Sequence, residues 1–173
     1  LTTRAYLEGY YYKPRIDHEL LARHSEGLIG LSACLKGEIN ERILTRRTAE
    51  AEATANTYRE ILGDGNFFLE LQDHGIPAQR QANEVLRGMS RRLGIPLVAS
   101  NDCHYLRRED SFAHDVLLCI GTQRMVSDGD RLRYASDQFY LKSGDEMAEL
   151  FPGDRAALEN TLPYVVRGPD GAP

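Results

Sequence analysis

The sequence predicts an α/β domain with parallel strands, and three observations support this prediction. Short apolar segments of strand length alternate along the chain with longer amphipathic segments of helix length, which is the order that βαβ units produce. The apolar segments are continuous rather than alternating, as expected of parallel strands that are buried on both faces. No glycine-rich nucleotide-binding motif follows any of them, which disfavours an open nucleotide-binding sheet. An open doubly wound sheet and a barrel remain as the two architectures.

Each element has its own local signal. The predicted strands are 27–34, 66–72, 96–100 and, more weakly, 138–141. The predicted helices are 17–24, 38–47, 49–62, 77–93, 109–120 and one that follows Ser143. Pro77 favours a helix start and Gly94 a helix end, while Gly63 ends the preceding helix. Ser143 and Glu146 have the spacing of a capping box, which predicts a helix N-terminus.

Composition excludes several classes of protein. Of the 173 residues, 42% are hydrophobic and 27% charged, as in ordinary globular domains. The net charge of −5 disfavours a module that simply coats nucleic acid, but it is compatible with a hydrolase whose bound cations supply positive charge. No apolar run is long enough for a membrane span. The odd count of 3 widely spaced cysteines predicts a reducing, cytoplasmic location without a disulfide framework.

Polar side chains follow each of the three main predicted strands. Cys34 ends the first strand, Asp73 and His74 follow the second, and Asp102 and His104 follow the third. Because the carboxyl ends of parallel strands meet at one edge, we expect these groups to converge there. Thiol, carboxylate and imidazole groups bind zinc, manganese or iron. The sequence therefore predicts a metal site at this edge.

The individual residues differ in how strongly they indicate a metal site. Asp102 and His104 are two residues apart, so in extended chain their side chains point the same way and can hold one metal or two adjacent metals. Cys103 then points away and is predicted to be buried. Cys34 alone is more typical of a core cysteine, and its interest comes only from its position at a strand end opposite Asp102 and His104. His74 is either a site-lining residue or a packing residue.

Other candidate residues have simpler interpretations. His114 lies within a predicted helix and is interpreted as a packing histidine, and Cys119 is interpreted as core. The tyrosines at 10–12 precede Lys13 and Arg15, a combination that can stack bases and contact phosphates. An extended segment packed on the domain is the favoured interpretation of this cluster.

Six motifs in order carry a resemblance to a known family. They are the segments 8–15, 25–29, 69–75, 101–105, 114–120 and 139–143. Together they resemble the PHP (polymerase and histidinol phosphatase) domain of bacterial DNA polymerase III alpha subunits, of either the replicative or the error-prone type. The resemblance extends from about residue 6 to residue 162.

The resemblance implies a fold, a cofactor and partners. It implies the C-terminal part of a distorted (βα)7 barrel that binds divalent metals, with zinc expected and manganese or magnesium as alternatives. Carried over by motif, the metal ligands are Cys34, Asp102 and His104. His74 is not a standard ligand of the family, and it and Asp73 are candidates for lining the site because they follow the second predicted strand. The implied activity is that of a DNA-directed DNA polymerase (nucleotidyltransferase) with a metal-dependent 3′–5′ exonuclease. The implied partners are DNA, contacted by Lys13 and Arg15 among others, the rest of the polymerase chain and replisome subunits such as the sliding clamp.

Two departures from the family pattern define further expectations. The family's early HxH motif and its next Asp, Glu and His ligands have no counterpart here, so residues 1–162 are expected to be a partial PHP domain that binds metal weakly by itself. Residues 163–173 do not continue the family pattern and are expected to be a disordered tail. A free-standing PHP phosphatase and a non-catalytic structural module are the alternative functions.

Overall fold

The computed structural model describes residues 1–161, so the predicted tail at 163–173 lies outside the described residues. The strands are β1 (Gly30–Leu31), β2 (Phe67–Leu71) and β3 (Leu97–Ala99). The helices are α1 (Thr2–Leu7), α2 (His18–Arg23), α3 (Glu38–Leu44), α4 (Thr48–Leu62), α5 (Pro77–Leu93), α6 (Ser111–Thr122), α7 (Gly144–Leu150) and α8 (Arg155–Glu159), with a 3₁₀ turn at Arg108–Asp110 before α6. No helix in this described part is both long enough and apolar enough to span a membrane.

The strands form a parallel sheet in the order β1-β2-β3. Gly30 is in register with Phe67, and Leu69 is in register with Leu97. All five residues of β2 are buried, four apolar residues and Glu70, as expected of a central parallel strand. The predicted α/β class with parallel strands is therefore confirmed.

Helix α5 has the predicted bounds because both of its ends are specified locally. Pro77 occupies the first turn, where its missing N–H costs no hydrogen bond. Gly94 follows the last turn with a φ of 68°, a left-handed conformation that glycine adopts without a steric penalty. Between them Ala82, Leu86 and Met89 recur at helical spacing and are buried. This face packs α5 against the sheet.

The core lies between the sheet and its helices. Leu69 and Leu71 of β2 are fully buried beside Leu86 of α5. Helix α8 packs along β3, where the Asn160 side chain donates to the Leu97 carbonyl at 2.8 Å. Phe151, which follows α7, is 2% exposed and joins the same core. The C-terminal helices thus close the side of the sheet next to β3.

Several elements differ from the prediction. Strand β1 covers only two of the predicted eight positions, since Ala33 has a φ of 63° and turns the chain out of the sheet. The predicted strand 138–141 is reduced to one parallel bridge between Tyr105 and Tyr140. Helices α1 and α8 had no sequence signal. The capping box is confirmed: the Ser143 hydroxyl accepts from the Glu146 N–H, and the Glu146 carboxylate accepts from the Ser143 N–H.

Candidate functional site

Asp102 and His104 lie side by side in the loop after β3. One carboxylate oxygen of Asp102 is 3.4 Å from Nε2 of His104. Both side chains are about one third exposed, at 38% and 32%. The two predicted ligands therefore meet at the carboxyl edge of the sheet, where solvent can reach them.

The backbone reason for this proximity differs from the one the sequence suggested. Asp102 has a φ of 43°, which lies in the left-handed region and not in the extended region. The expectation of an extended segment with i and i+2 on one side is therefore wrong in its geometry, although the two side chains still meet. Asp is one of the few residues that adopt this conformation readily. Residues in such conformations concentrate at functional sites.

Tyr134 connects the predicted ligands. Its hydroxyl lies 3.1 Å from Nε2 of His104. Burial raises the pKa of the Tyr134 phenol, and the nearby charges of Asp102 and then Cys34 raise it further. Tyr134 thus contacts His104 and lies close enough to Asp102 and Cys34 for their charges to affect its pKa. We call these four side chains the rim cluster.

His114 of α6 extends the rim cluster on one side. Its ring centroid lies 5.5 Å from that of His104 and 5.0 Å from that of Tyr134. Burial lowers the pKa of His114, and the neighbouring His104 lowers it further. The sequence offered no reason to select Tyr134, which lies 30 residues after His104 in a segment without regular structure. The mid-helix position of His114 predicts a packing histidine, whereas the structure places its ring beside His104 and Tyr134.

His74 lies beneath the rim cluster, with none of its surface exposed. One ring nitrogen, Nε2, is 2.7 Å from the Asn101 carbonyl, and the other is 2.8 Å from the Gln79 amide nitrogen. The ring also stacks on Phe139, with centroids 3.9 Å apart. Burial lowers the pKa of His74 in spite of the opposing effect of these two hydrogen bonds. His74 therefore supports the loop that carries Asp102 and does not line the exposed site as predicted.

Asn101 ties the same loop to the segment after residue 137. Its amide donates to the carbonyls of Tyr140 at 2.6 Å and Gln138 at 3.2 Å. The side-chain oxygen of Asn101, Oδ1, accepts from the ammonium of Lys142 at 3.1 Å. Burial lowers the pKa of Lys142. The loop is thus held from below by His74 and from the side by a buried polar network.

The other residues that the sequence singled out are Asp73, Cys103 and Cys119, and the structure places each of them in a different environment. Asp73 accepts from the Gly75 N–H at 2.8 Å and pairs with Arg80 at 3.3 Å, so its carboxylate is engaged in its own turn. Cys103 is exposed, and the prediction that it is buried is wrong. Cys119 is 4% exposed, and its assignment to the core is confirmed.

The N-terminal tyrosine segment is more exposed than predicted. Tyr12 is 81% exposed and Tyr11 is 65% exposed, so the interpretation as a segment packed on the domain is wrong. Lys13 and Arg15 are exposed as well. The contacts of Arg15 lie within the segment, with its guanidinium 5.5 Å from the centre of the Tyr11 ring.

The rim cluster fits a divalent metal in part. Asp102 and His104 offer a carboxylate oxygen and an imidazole nitrogen close together, which suits two positions in the coordination shell of zinc or manganese. Across residues 1–161, no group of three or more His, Cys, Asp or Glu side chains is arranged to hold a metal ion. This part of the chain therefore supplies two adjacent donors.

Comparison with known proteins identifies the class of domain. Residues 1–74 match the PHP domain family. Over 162 residues the chain is 50% identical to the DNA polymerase III subunit alpha of Treponema pallidum, a match that covers 94% of this chain and 14% of the relative. It is 48% identical over 152 residues to the same subunit of Thermus aquaticus, covering 88% of this chain and 12% of the relative.

The chain belongs to the DNA polymerase III alpha subunit family. The resemblance seen in the six sequence motifs is thus confirmed. The chain spans 11% to 14% of the length of three curated relatives that it matches.

Proposed function

We propose that this chain forms part of the PHP domain of a DNA polymerase III alpha subunit, and that its rim cluster takes part in metal-dependent 3′–5′ hydrolysis of DNA. The observation that carries the proposal is the Asp102–His104 pair, 3.4 Å apart, with the Tyr134 hydroxyl 3.1 Å from His104. The proposed domain covers residues 1–162, and closure into a (βα)7 barrel is part of the proposal.

Each side chain of the rim cluster has a proposed role. Asp102 and His104 would hold one divalent ion, zinc or else manganese or magnesium, and Cys34 would hold a second. A bound metal lowers the pKa of its water and neutralises the phosphate under attack. Tyr134 keeps the His104 imidazole turned toward Asp102, as groups around a metal ligand commonly do. His74 fixes the Asn101 backbone just before Asp102.

The substrate and partners follow from the same proposal. DNA would approach the carboxyl edge of the sheet with its 3′ end at the rim cluster, and Lys13 and Arg15 would contact its backbone elsewhere. Nucleotide polymerisation, the rest of the polymerase chain and replisome subunits such as the sliding clamp belong to the whole protein. Its cytoplasmic location is part of the same proposal.

A non-catalytic structural role is the second candidate. The observation in its favour is that no group of three potential metal ligands forms within residues 1–161. A free-standing phosphatase has less support, because the relatives reported above are DNA polymerase III alpha subunits.

The test uses the whole alpha subunit that carries this segment. We expect Asp102→Ala to remove bound zinc or manganese and to reduce release of the 3′ nucleotide from single-stranded DNA by about a hundredfold or more, since a catalytic metal contributes several kcal/mol. Polymerase activity should be retained. Asp64→Ala is the matched control, because the Asp64 side chain is 97% exposed.

Metal content and exonuclease activity that both remain unchanged in Asp102→Ala would favour the structural role over the catalytic one. Loss of both in Asp64→Ala as well would reveal a general defect of the subunit.

A further inference from the structure

A groove of about 400 Å³ adjoins the rim cluster. Tyr134 belongs to both, since its ring lines the groove and its hydroxyl contacts His104. His114 also lines the groove and lies beside His104. The volume is within the range typical of small-molecule sites. A ligand in this groove would therefore lie next to the proposed metal ligands.

Within residues 1–161, the charges in the groove leave one arginine, Arg133, without a carboxylate partner; its guanidinium donates to the Asp128 backbone carbonyl at 3.4 Å. Asp115 accepts two hydrogen bonds from the guanidinium of Arg131, at 2.5 and 2.6 Å. Asp137 pairs with Arg108 at 2.7 Å. Arg133 lines the same groove and is exposed, and among the described residues it forms no ion pair with a carboxylate. Arg108 does not line the groove, so the lining side chains carry two positive and two negative charges. Both carboxylates are paired with other arginines, so an anionic group would be attracted to Arg133.

The groove also has an aromatic wall. Phe112 of α6 lines it and is 67% exposed, although exposed phenylalanine has an unfavourable contact with water. Tyr105 lines the groove as well. An exposed aromatic ring and an arginine without a carboxylate partner in one groove can bind a nucleobase by stacking and its phosphate by charge-assisted hydrogen bonds.

We propose that this groove binds the terminal nucleotide of a DNA strand, with the base on Phe112 and a phosphate at Arg133. The proposal rests on the nuclease role proposed above and adds the place where its substrate is held. Arg133 and Tyr134 both line the groove, so a phosphate bound by Arg133 would share it with the phenol that contacts His104. The groove thereby directs the terminal phosphodiester toward the rim cluster.

The test is a titration of the 173-residue chain with thymidine 5′-monophosphate in EDTA, followed by NMR chemical shifts. We expect saturable binding with a Kd of about 0.1–1 mM and shifts centred on Ser111, His114 and Tyr134. Arg133→Gln should raise the Kd about tenfold, because it removes charge-assisted hydrogen bonds. Phe112→Ala should raise it about fivefold through lost stacking.

Two control variants match these substitutions. Arg155→Gln removes an arginine whose side chain is 90% exposed on α8. Leu117→Ala truncates another exposed residue of α6 that does not line the groove. Both should leave the Kd within about twofold of the wild-type value. All four substitutions affect exposed side chains, and retention of the fold is checked by thermal unfolding.

Three results would overturn the proposal: no saturable binding, shifts centred away from the groove, or equal weakening by the controls. Inorganic phosphate that binds as tightly as the nucleotide would also overturn it, because the aromatic wall would then contribute nothing. If thymidine, which lacks the phosphate, binds as tightly as the monophosphate, the proposed role of Arg133 is excluded. The titration is done in EDTA and measures binding alone. Its outcome therefore does not depend on whether the nuclease proposal is correct.

Discussion

The sheet with its flanking helices and the region from Tyr105 to Lys142 are built in different ways. In the first region, Leu69, Leu86 and Met89 have no exposed surface. In the second, Phe112 and Leu117 are 67% and 64% exposed, and Cys119 is the one buried residue of α6. The second region is held by polar and aromatic contacts, such as those of Asn101 and Tyr134.

This difference separates the region that stabilises the fold from the region that carries accessible ionisable groups. Burial of apolar surface determines the positions of the sheet and α5. Removing even one methylene from such a close-packed core lowers the free energy of unfolding. The second region can keep its ionisable groups accessible because the stability of the fold does not depend on burying them. The rim cluster lies where the two regions meet.

The largest effect on the free energy of unfolding is expected from truncating a side chain in the core, with truncation of an exposed side chain as the control. Leu86→Ala should lower the free energy of unfolding by about 2–5 kcal/mol, since it leaves a cavity among fully buried neighbours. Leu117→Ala on α6 should lower it by less than about 0.5 kcal/mol. Denaturant unfolding of both variants measures the contrast, and equal losses would contradict the distinction between the regions.

An intermediate effect is expected from His74, which joins the two regions. Burial lowers the pKa of folded His74 below its ordinary value of 6.5, so the unfolded chain takes up a proton first as the pH falls. The stabilisation is therefore complete above pH 6.5 and decreases between this value and the lower folded pKa, by at most about 1.4 kcal/mol per pH unit.

Denaturant unfolding at several pH values between 5 and 8 tests this pH dependence. His74→Gln should flatten the dependence, whereas His24→Gln, at an exposed position, should keep the wild-type slope. An unchanged slope in His74→Gln would show that the buried histidine does not couple the fold to pH.

The smallest effect is expected at the N-terminus of α7. Ser143→Ala removes the hydroxyl that accepts from the Glu146 N–H and should cost about 1 kcal/mol of unfolding free energy. Ser127→Ala, in the exposed loop after α6, is the control and should have no measurable effect. A cost at Ser143 as large as that of Leu86→Ala would mean that the capping contact, and not the core, dominates stability.

The sequence predicts the first region better than the second for a physical reason. Helix α5 and strand β2 are specified by local signals, Pro77, Gly94 and a continuous apolar run, that act within a few residues. The rim cluster depends on contacts between distant segments, such as Tyr134 with His104 across 30 residues. Motif resemblance selected Cys34, Asp102 and His104, but it could not reveal the buried position of His74 or the left-handed conformation of Asp102.

The central claim is that Cys34, Asp102 and His104 border one metal-binding rim. Substoichiometric Mn²⁺ added to the isotopically labelled 173-residue chain tests it directly, through paramagnetic broadening of NMR signals. We predict weak binding, with broadening centred on Asp102 and His104 that reaches Tyr134 and Cys34 and disappears in Asp102→Ala. Broadening that is centred elsewhere, or that leaves Cys34 unaffected while Asp102 is broadened, would contradict the claim.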